Sequence, residues 1–426
     1  MECFPTLAGT GIDHLHLGNA QIEDIASTFY HEPSKKMTVI GVTGTNGKTS
    51  CTHFIAQALQ KAGRTCGVIG TLGTGVWPNL TPGKYTTPDA IACHRGLAEL
   101  LQQSAELVAM EVSSHGLDQA RVAGVAFDTA IFTNLSRDHL DYHADMDDYA
   151  AAKSKLFSWA GLKRAIINID DPVGERFARE FSGRYQIYTY SLMNKTLAGC
   201  KPVLASRIHL NGRDMSAKIS SPWGEGSLKA NLLGKFNLSN LLAVLTTLCA
   251  SGVSLDDALQ YLHGVKNVTG RMQAFGGGKL PLVVVDYAHT PDALEQALNA
   301  LREHTRGKLW CVFGCGGNRD HGKRPMMGQV AEHYSDQIVI TSDNPRDEDP
   351  QSIINDIKAG LLCDWAAETE LDRGSAIAHA IDCAQAGDVV LIAGKGHEDY
   401  QLVGDQRLGF SDREVAEAAV RKKLGA

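Results

Sequence analysis

Short apolar runs alternate with longer segments whose apolar residues recur at three- and four-residue spacing, and this alternation runs through most of the chain. The run Met37, Val39, Ile40, Val42 gives way to Gly44 and Gly47, then to Lys48 and Thr49, then to the helix-compatible segment 53–59, which predicts strand, glycine loop and helix in succession. Further strands are predicted at 68–73, 107–116, 129–136 and 164–170, with helices over 89–103 and 149–159 between them. Short apolar strands separated by helices describe a parallel sheet covered on both faces. Residues 186–233 change period and predict an antiparallel patch of short strands, and 237–252 predicts a helix stopped by Gly252.

Past Gly270 and Arg271 the alternation starts afresh, with strands at 281–288, 308–317, 337–341 and 389–396 and helices over 291–304 and near 326–333. The expected fold class is therefore α/β: a central P-loop ATPase-like domain with a mostly parallel sheet (37–270) and a C-terminal Rossmann-like α/β domain (271–426). Residues 1–36 are too short for a domain and predict one helix, 21–31, with Ile22, Ile25, Ala26 and Phe29 at helical spacing, an entry arm to the first sheet. In open α/β sheets ligands bind beyond the carboxyl ends of strands, so the loops ending in Gly44, Glu111, Asn134, Asp286, Gly316 and Gly394 are expected to converge on a cleft.

Composition narrows the function. The 426 residues are 43% hydrophobic and 21% charged, ordinary for a globular protein. A net charge of −7 argues against a general nucleic-acid binder, which needs an excess of cations. The first residues lack the basic and apolar regions of a signal peptide, and no run of about 18 apolar residues follows, so a cytoplasmic protein without membrane contact is expected. The ten cysteines show no repeated C-x-x-C frame and are expected to be reduced and mostly in cores, with Cys311 and Cys315 in a glycine-rich turn.

The chemistry starts at Gly44, Thr45, Asn46, Gly47, Lys48, Thr49 and Ser50. Glycines let backbone N–H groups approach a polyphosphate, the lysine supplies charge, and the Thr49 hydroxyl suits Mg²⁺. The departure from strict Walker spacing is Val42 at the first glycine position. Glu111, at the end of a neighbouring apolar strand, can hold the metal that bridges ATP phosphates, or be a solvated strand-end acid; the residues alone leave this open. The segment Thr133 to His143 packs two histidines, two aspartates and an arginine into one strand end, more than solubility requires, and His139 suits a metal ligand or a phosphate contact.

The ordered motifs GVTGTNGKT, MEVSSHGL, TNLSRDHLDYH, YAAAKSKLF, LLGKFNLSN, VVVDYAHTPDAL, FGCGGNRDHGKRPMM, DNPR and AGKGHEDYQ resemble the Mur ligase family from about residue 20 to the C-terminus. The resemblance implies an ATP- and Mg²⁺-dependent amide ligase of cytoplasmic peptidoglycan precursor synthesis. It would add meso-2,6-diaminopimelate to a UDP-linked muramoyl dipeptide through an acyl phosphate. It implies catalytic roles for Lys48, Glu111, His139 and Lys153, with Thr49, Glu111, His139 and a carbamylated Lys153 as the metal set. Taken alone, Lys153 would be a surface helix lysine. The resemblance further implies Asn237, Asn240, Arg271 and Asp286 at ATP, and Tyr85, Thr86, Thr87, Ser113, Gln119 and Arg121 at the muramoyl dipeptide. For diaminopimelate it implies Arg319, Asp343, Asn344, Pro345, Arg346, Gly394 and Glu398. Arg346 can pair bidentately with a carboxylate that L-lysine lacks, and Glu398 suits an ammonium, although residue chemistry alone slightly favours a solvated turn for the DNPR segment. Small molecules are the expected partners and a monomer the expected state.

Two features depart from the family. Residues 1–36 cannot form the N-terminal domain that grips the UDP moiety, so a reduced or missing uridine grip is expected, and Tyr85 stands where relatives often carry asparagine. The alternatives are a ligase of the same fold acting on a smaller carboxylate, and an inactive truncated product that only binds nucleotide.

Overall fold

The computed structural model describes residues 19–211, 214–363 and 367–425; the first 18 residues of the predicted arm lie outside them. Within the arm the helix α1 spans Asn19–Phe29.

The first sheet holds β1 (Thr38–Thr43), β2 (Cys66–Gly70), β3 (Gly73–Val76), β4 (Leu107–Glu111), β5 (Phe127–Phe132), β6 (Arg164–Asn168), β7 (Gln186–Ser191), β8 (Lys201–Asn211), β9 (Asp214–Ser221) and β10 (Gly224–Ala230). Their order is β10-β9-β8-β7-β6-β5-β1-β4-β2-β3. Between them run α2 (Lys48–Lys61), α3 (Ala90–Gln102), α4 (Ser114–Asp118), α5 (Met146–Ser154) and α6 (Pro172–Glu180), followed by α7 (Lys235–Ala250) and α8 (Leu255–His263). From β2 to β8 the neighbours across the sheet are parallel, and β3, β9 and β10 pair antiparallel at its two edges. β1 lies between β5 and β4, where connections leave to either side, so the loop after it opens at the switch point of the sheet.

The apolar runs are read by both faces. In β1, Val39 packs with Val108, Phe127 and Leu156, while Ile40 and Val42 face the opposite core around Phe54, Leu241 and Leu245. Each such side chain contributes about 1.5–3 kcal/mol by leaving water, which is why these strands show no polar alternation.

The second sheet holds β11 (Gln273–Gly276), β12 (Leu282–Asp286), β13 (Leu309–Phe313), β14 (Gln337–Ile340), β15 (Ala367–Thr369) and β16 (Val389–Ala393), in the order β11-β12-β16-β13-β14-β15. Only β11 runs antiparallel to its neighbour. Around it lie α9 (Pro291–Arg302), α10 (Lys323–Tyr334), α11 (Pro350–Lys358), α12 (Arg373–Cys383) and α13 (Asp412–Gly425), with a hairpin of β17 (Tyr400–Val403) and β18 (Gln406–Gly409). Thr290 caps α9 and Asp349 caps α11, each just before a proline at the first helical position.

Three expectations are corrected. Within 186–233 the expected antiparallel pairing holds for β8 to β10, but β7 pairs in parallel with β6 and β8, so the patch continues the first sheet. The change of period marks an edge with one wet face, as in the buried and exposed alternation of β10. The helix expected over 149–159 begins at Met146, capped by Asp145, and ends at Ser154 before a 3₁₀ turn over Lys155–Ser158. Its first turn carries Asp147 and Asp148, so it had no apolar periodicity to mark its start. Cys311 is in the middle of buried β13, and only Cys315 belongs to the turn after it. Among the described residues the cysteines are free, and no helix is long and apolar enough to cross a membrane.

Candidate active site

The loop between β1 and α2 is held from behind by the end of β5. The Thr45 N–H donates to the Asn134 carbonyl at 2.9 Å, the Asn46 N–H to Asn134 Oδ1 at 3.0 Å, and the Thr133 hydroxyl to the Asn46 carbonyl at 2.6 Å. Gly44 has φ +148° and a Cβ there would stand 1.9 Å from Thr133 Oγ1; Gly47, at φ +86°, would meet Asn240 Oδ1 at 2.5 Å. Only glycine fits either position. Gly47 caps α2 without a side chain, so the first N–H groups of this helix remain available to an anion.

Two ammonium groups converge on this loop. Lys48 Nζ donates to the Gly44 and Thr45 carbonyls at 2.7 and 2.8 Å, and Lys153 Nζ donates to the same Gly44 carbonyl at 3.0 Å while lying 4.4 Å from the Tyr149 ring centroid. Lys153 is 1% exposed, so the surface position expected of it as an isolated residue is wrong; the turn of α5 aims it under the loop. Burial pushes both lysines below the ordinary range, Lys153 well below it; the charge of Lys48 lowers Lys153 further, and Arg271 lowers Lys48 against the pull of Glu111 and Asp138.

Beside the lysines, Thr49 Oγ1 donates to Glu111 Oε2 at 3.0 Å, and Glu111 also accepts from the Thr71 N–H and hydroxyl at 2.8 and 3.1 Å. Glu111 is fully buried, which disposes of the solvated strand-end alternative. Arg271 reaches Thr49 Oγ1 at 3.3 Å from the start of the second sheet and stacks on Tyr287. His139 sits at φ +55° with Nε2 3.4 Å from Asp138 Oδ2, and its ring touches His115 edge-on. Desolvation lowers the His139 pKa, opposed by Asp138 and reinforced by His115, Lys153 and Lys48. Among the described residues no three His, Cys, Asp or Glu side chains gather into a metal shell, so a metal here would depend on hydroxyl and modified-lysine ligands as well.

A cavity of about 400 Å³ opens beside the loop, lined by Asn46, Gly47, Thr49, Ser50, Asn134, Lys235, Phe236, Asn240, Arg271, Asp286, Tyr287 and Asp292 among others. Asn237 does not line it: its amide donates to the Leu233 carbonyl just before α7. Asp286 does line it, but its two oxygens accept from the Met272 and Ala288 N–H groups, so it anchors the hinge backbone. Burial raises its pKa against the pull of Arg271. The convergence expected of six loops is partial: Glu111, Gly316 and Gly394 lie outside this cavity, and the loop at Gly44 reaches it through Asn46 and Gly47 rather than Gly44 itself.

On one side, the residues expected at the dipeptide form a connected set. Thr87 Oγ1 joins Ser113 Oγ and the Glu111 carbonyl, Thr86 joins Thr71, and Arg121 donates to Gln119 Oε1 and the Thr87 carbonyl while packing over the Tyr85 ring. On the other side, Arg346, at φ +53°, donates Nη1 to the Gly317 carbonyl at 2.7 Å, leaving Nε and Nη2 without partners among the described residues. Arg319 and Arg346 both flank Gly316, and a Cβ on Gly394 would meet Asp343 Oδ2 at 2.5 Å. Glu398 is not simply open to an incoming ammonium: its Oε2 already accepts from Lys395 and Asn344, at 3.0 and 2.9 Å.

The two sides meet through cross-sheet contacts: Asn46 with Asp292 (3.1 Å), Arg137 with Asp320 (3.5 Å), Arg319 with Asp141 (3.6 Å) and His289 with Asp138 (3.7 Å). Burial alone would raise the Asp138 carboxyl; the His289 hydrogen bond and the charges of His139, His289 and Lys323 hold it well below the carboxylate range. Thr71, His289, Lys395 and the Arg324–Glu348 pair, which supports the 316–318 turn, were not singled out from the sequence. The only sequence signal for Lys395 was its place inside AGKGHEDYQ.

Residues 42–248 match the profile of the Mur ligase middle domain and residues 270–396 that of the Mur ligase glutamate ligase domain. The chain is 51% identical over 400 residues to the UDP-N-acetylmuramoyl-L-alanyl-D-glutamate–2,6-diaminopimelate ligase of Coxiella burnetii, covering 94% of this chain and 82% of the relative. It is 50% identical over 404 residues to the protein of the same name from Pseudomonas putida, with the same coverage. Among solved structures, a UDP-N-acetylmuramoyl-L-alanyl-D-glutamate–2,6-diaminopimelate ligase superposes with a TM-score of 0.66 at 37% identity over 94% of this chain and 83% of that one. The Mycobacterium tuberculosis folylpolyglutamate synthase complexed with ADP has a TM-score of 0.73 at 17% identity over 96% and 94%, a likeness of fold.

Proposed function

The chain belongs to the Mur ligase family of ATP-dependent ligases, and from that membership we propose that it joins meso-2,6-diaminopimelate to UDP-N-acetylmuramoyl-L-alanyl-D-glutamate. The reaction would serve peptidoglycan precursor synthesis, in the cytoplasm and as a monomer. The observation that carries the reading is the pairing of two half-sites: a lysine-lined phosphate loop on the first sheet faces an arginine and carboxylate pocket on the second across direct ion pairs.

The γ-phosphoryl group of ATP would pass to the substrate carboxylate, releasing ADP. The amine nitrogen would then attack the carbonyl carbon of the acyl phosphate, lose its proton, and expel inorganic phosphate. Lys48 and the free N–H groups at the start of α2 suit the charge on the transferring group, and Arg271 reaches the same point from the hinge. Arg121 and Gln119 would hold the acceptor, and the free Nε and Nη2 of Arg346 offer two parallel donors to the distal carboxylate of the amino acid. Thr49 and Glu111, with His139 and a carbamylated Lys153, are the residues that would hold Mg²⁺. The oxygen donors of Thr49, Glu111 and the carbamate fit that ion, which would neutralise phosphate charge when bound, and His139 would add a nitrogen donor.

The test offers ATP, Mg²⁺ and the UDP-linked dipeptide with meso-diaminopimelate and L-lysine at equal concentration. The expected products are ADP, phosphate and the diaminopimelate adduct. L-lysine should be disfavoured by about 30-fold or more, because it leaves the arginine fork without an anion. AMP and pyrophosphate, or preferential lysine incorporation, would refute the reading.

A further inference from the structure

Lys395 follows β16 in the turn Gly394-Lys395-Gly396 and has no solvent exposure. An ammonium removed from water needs close compensation, because its uncompensated desolvation costs several kcal/mol. Its partners are Asn344 Oδ1 at 3.0 Å and Glu398 Oε2 at 3.0 Å, with Asp343 Oδ1 at 3.9 Å and the Tyr400 ring centroid at 5.5 Å. Asn344 closes the triangle by donating Nδ2 to the same Glu398 oxygen at 2.9 Å. The Leu402 N–H donates to Asn344 Oδ1 at 2.9 Å, so the amide can take only one orientation.

Each edge of this triangle bears on the amine pocket. Glu398 has one oxygen consumed by Lys395 and Asn344, and Oε1 has no hydrogen-bond partner among the described residues. Asp343 and Glu398 are two carboxylates at one strand-end cluster, and both act electrostatically on Tyr287 and Arg373. Lys395 is the cation that touches Glu398 and stands nearest to Asp343 inside that cluster. It also pins the Asp343-Asn344 turn, from which Arg346 departs at positive φ.

We infer that Lys395 is a positioning residue for the amine substrate. It fixes the Asn344 amide, holds Glu398 through Oε2, and leaves Glu398 Oε1 as the acceptor for a substrate ammonium. Lys395 has no solvent-facing surface of its own, so it acts through Asn344 and Glu398. The inference rests on the ligase reading above and adds to it which residue holds the amine pocket in register.

Two substitutions test it: Lys395→Met, which keeps the unbranched apolar stem and removes the ammonium, and Lys395→Gln, which is also one atom shorter but keeps an N–H donor without the charge. The expected result is a KM for meso-diaminopimelate raised by about 10- to 100-fold in Lys395→Met and less in Lys395→Gln. The KM for ATP should stay within about twofold and kcat within about fivefold, a split that general loosening of the fold would not produce. The double variant Lys395→Met/Glu398→Gln should be little worse than Lys395→Met, because the two side chains form one unit. An unchanged KM for the amine in either folded variant overturns the inference. A parallel rise in both KM values does so too, as does failure of both variants to show a cooperative thermal transition, since Lys395 would then serve the fold. If wild-type protein does not use meso-diaminopimelate, it is the ligase reading that falls, and that measurement is made first.

Discussion

Lys48 and Lys153 donate to one carbonyl oxygen, that of Gly44, inside a buried site. Two full positive charges so placed would repel by about 3 kcal/mol at an effective dielectric near 20. Burial and that repulsion favour the neutral form of Lys153, so the cost of its charge is felt at low pH and shrinks as pH rises toward the ordinary lysine range. A neutral amine is the form that attacks CO₂, with loss of a proton, and the resulting carbamate turns a repelled cation into an oxygen ligand. Carbon-13 bicarbonate should therefore give a carbamate resonance that disappears in Lys153→Ala and fades on acidification. The same variant should lose at least about 100-fold in turnover and recover part of it with added formate or acetate. Normal turnover of Lys153→Ala without additives would sink the proposal.

Arg373 at the start of α12 and Asp412 at the start of α13 form an ion pair with neither side chain exposed. The pair is bidentate, at 2.7 and 2.8 Å, and Arg373 also donates to the Ala393 carbonyl at the end of β16 and the Ser342 carbonyl beyond β14. It thus ties together the two strand ends from which Gly394 and Asp343 enter the proposed amine pocket. Replacing Arg373 by Met leaves Asp412 as a buried unpaired charge, and the expected loss is about 3–5 kcal/mol of stability. Thermal unfolding should show it as a lowered Tm, and Arg373→Met/Asp412→Leu should regain a good part, since two apolar groups carry no desolvation debt. A double variant no more stable than the single one would show that the strand-end carbonyls, rather than the pair, are what Arg373 serves.

The two sheets are held against one another by polar contacts at the cleft rim. The Arg137–Asp320 and Arg319–Asp141 pairs include side chains that are 42% and 55% exposed, so each is worth no more than about 1 kcal/mol and is screened by salt. The ligand-free protein should accordingly expand between about 0.05 M and 1 M NaCl. ATP with the UDP-linked dipeptide should draw it back by bridging the sheets. Small-angle scattering measures both changes, and a radius of gyration indifferent to salt and to ligands would count against a closure governed by these pairs.

Period and punctuation in the amino-acid sequence determined two α/β sheets, the break near Gly270 and the phosphate loop, because strand burial, helix amphipathicity and glycine backbone freedom are local properties. Motif order was enough to name the family. What the chain alone could not decide was which of the named residues would be spent on one another. Taken alone, Lys153 read as a surface lysine, because a helix turn does not say what lies beneath it; only the resemblance put it in the metal set. Asp286 and Asn237 read as nucleotide contacts, yet the Asp286 oxygens accept from the Met272 and Ala288 N–H groups, and the Asn237 amide pairs with the Leu233 carbonyl and the Asn240 side chain. Glu398 read as an open carboxylate until the fold set Lys395 against it. Two reasons operate: Lys153 meets Gly44 and Asp286 meets Met272 across segments that only the packed structure brings together, whereas Asn237 with Leu233 and Glu398 with Lys395 are near neighbours in the chain whose pairing is decided by the helix or turn geometry and by the burial the fold imposes.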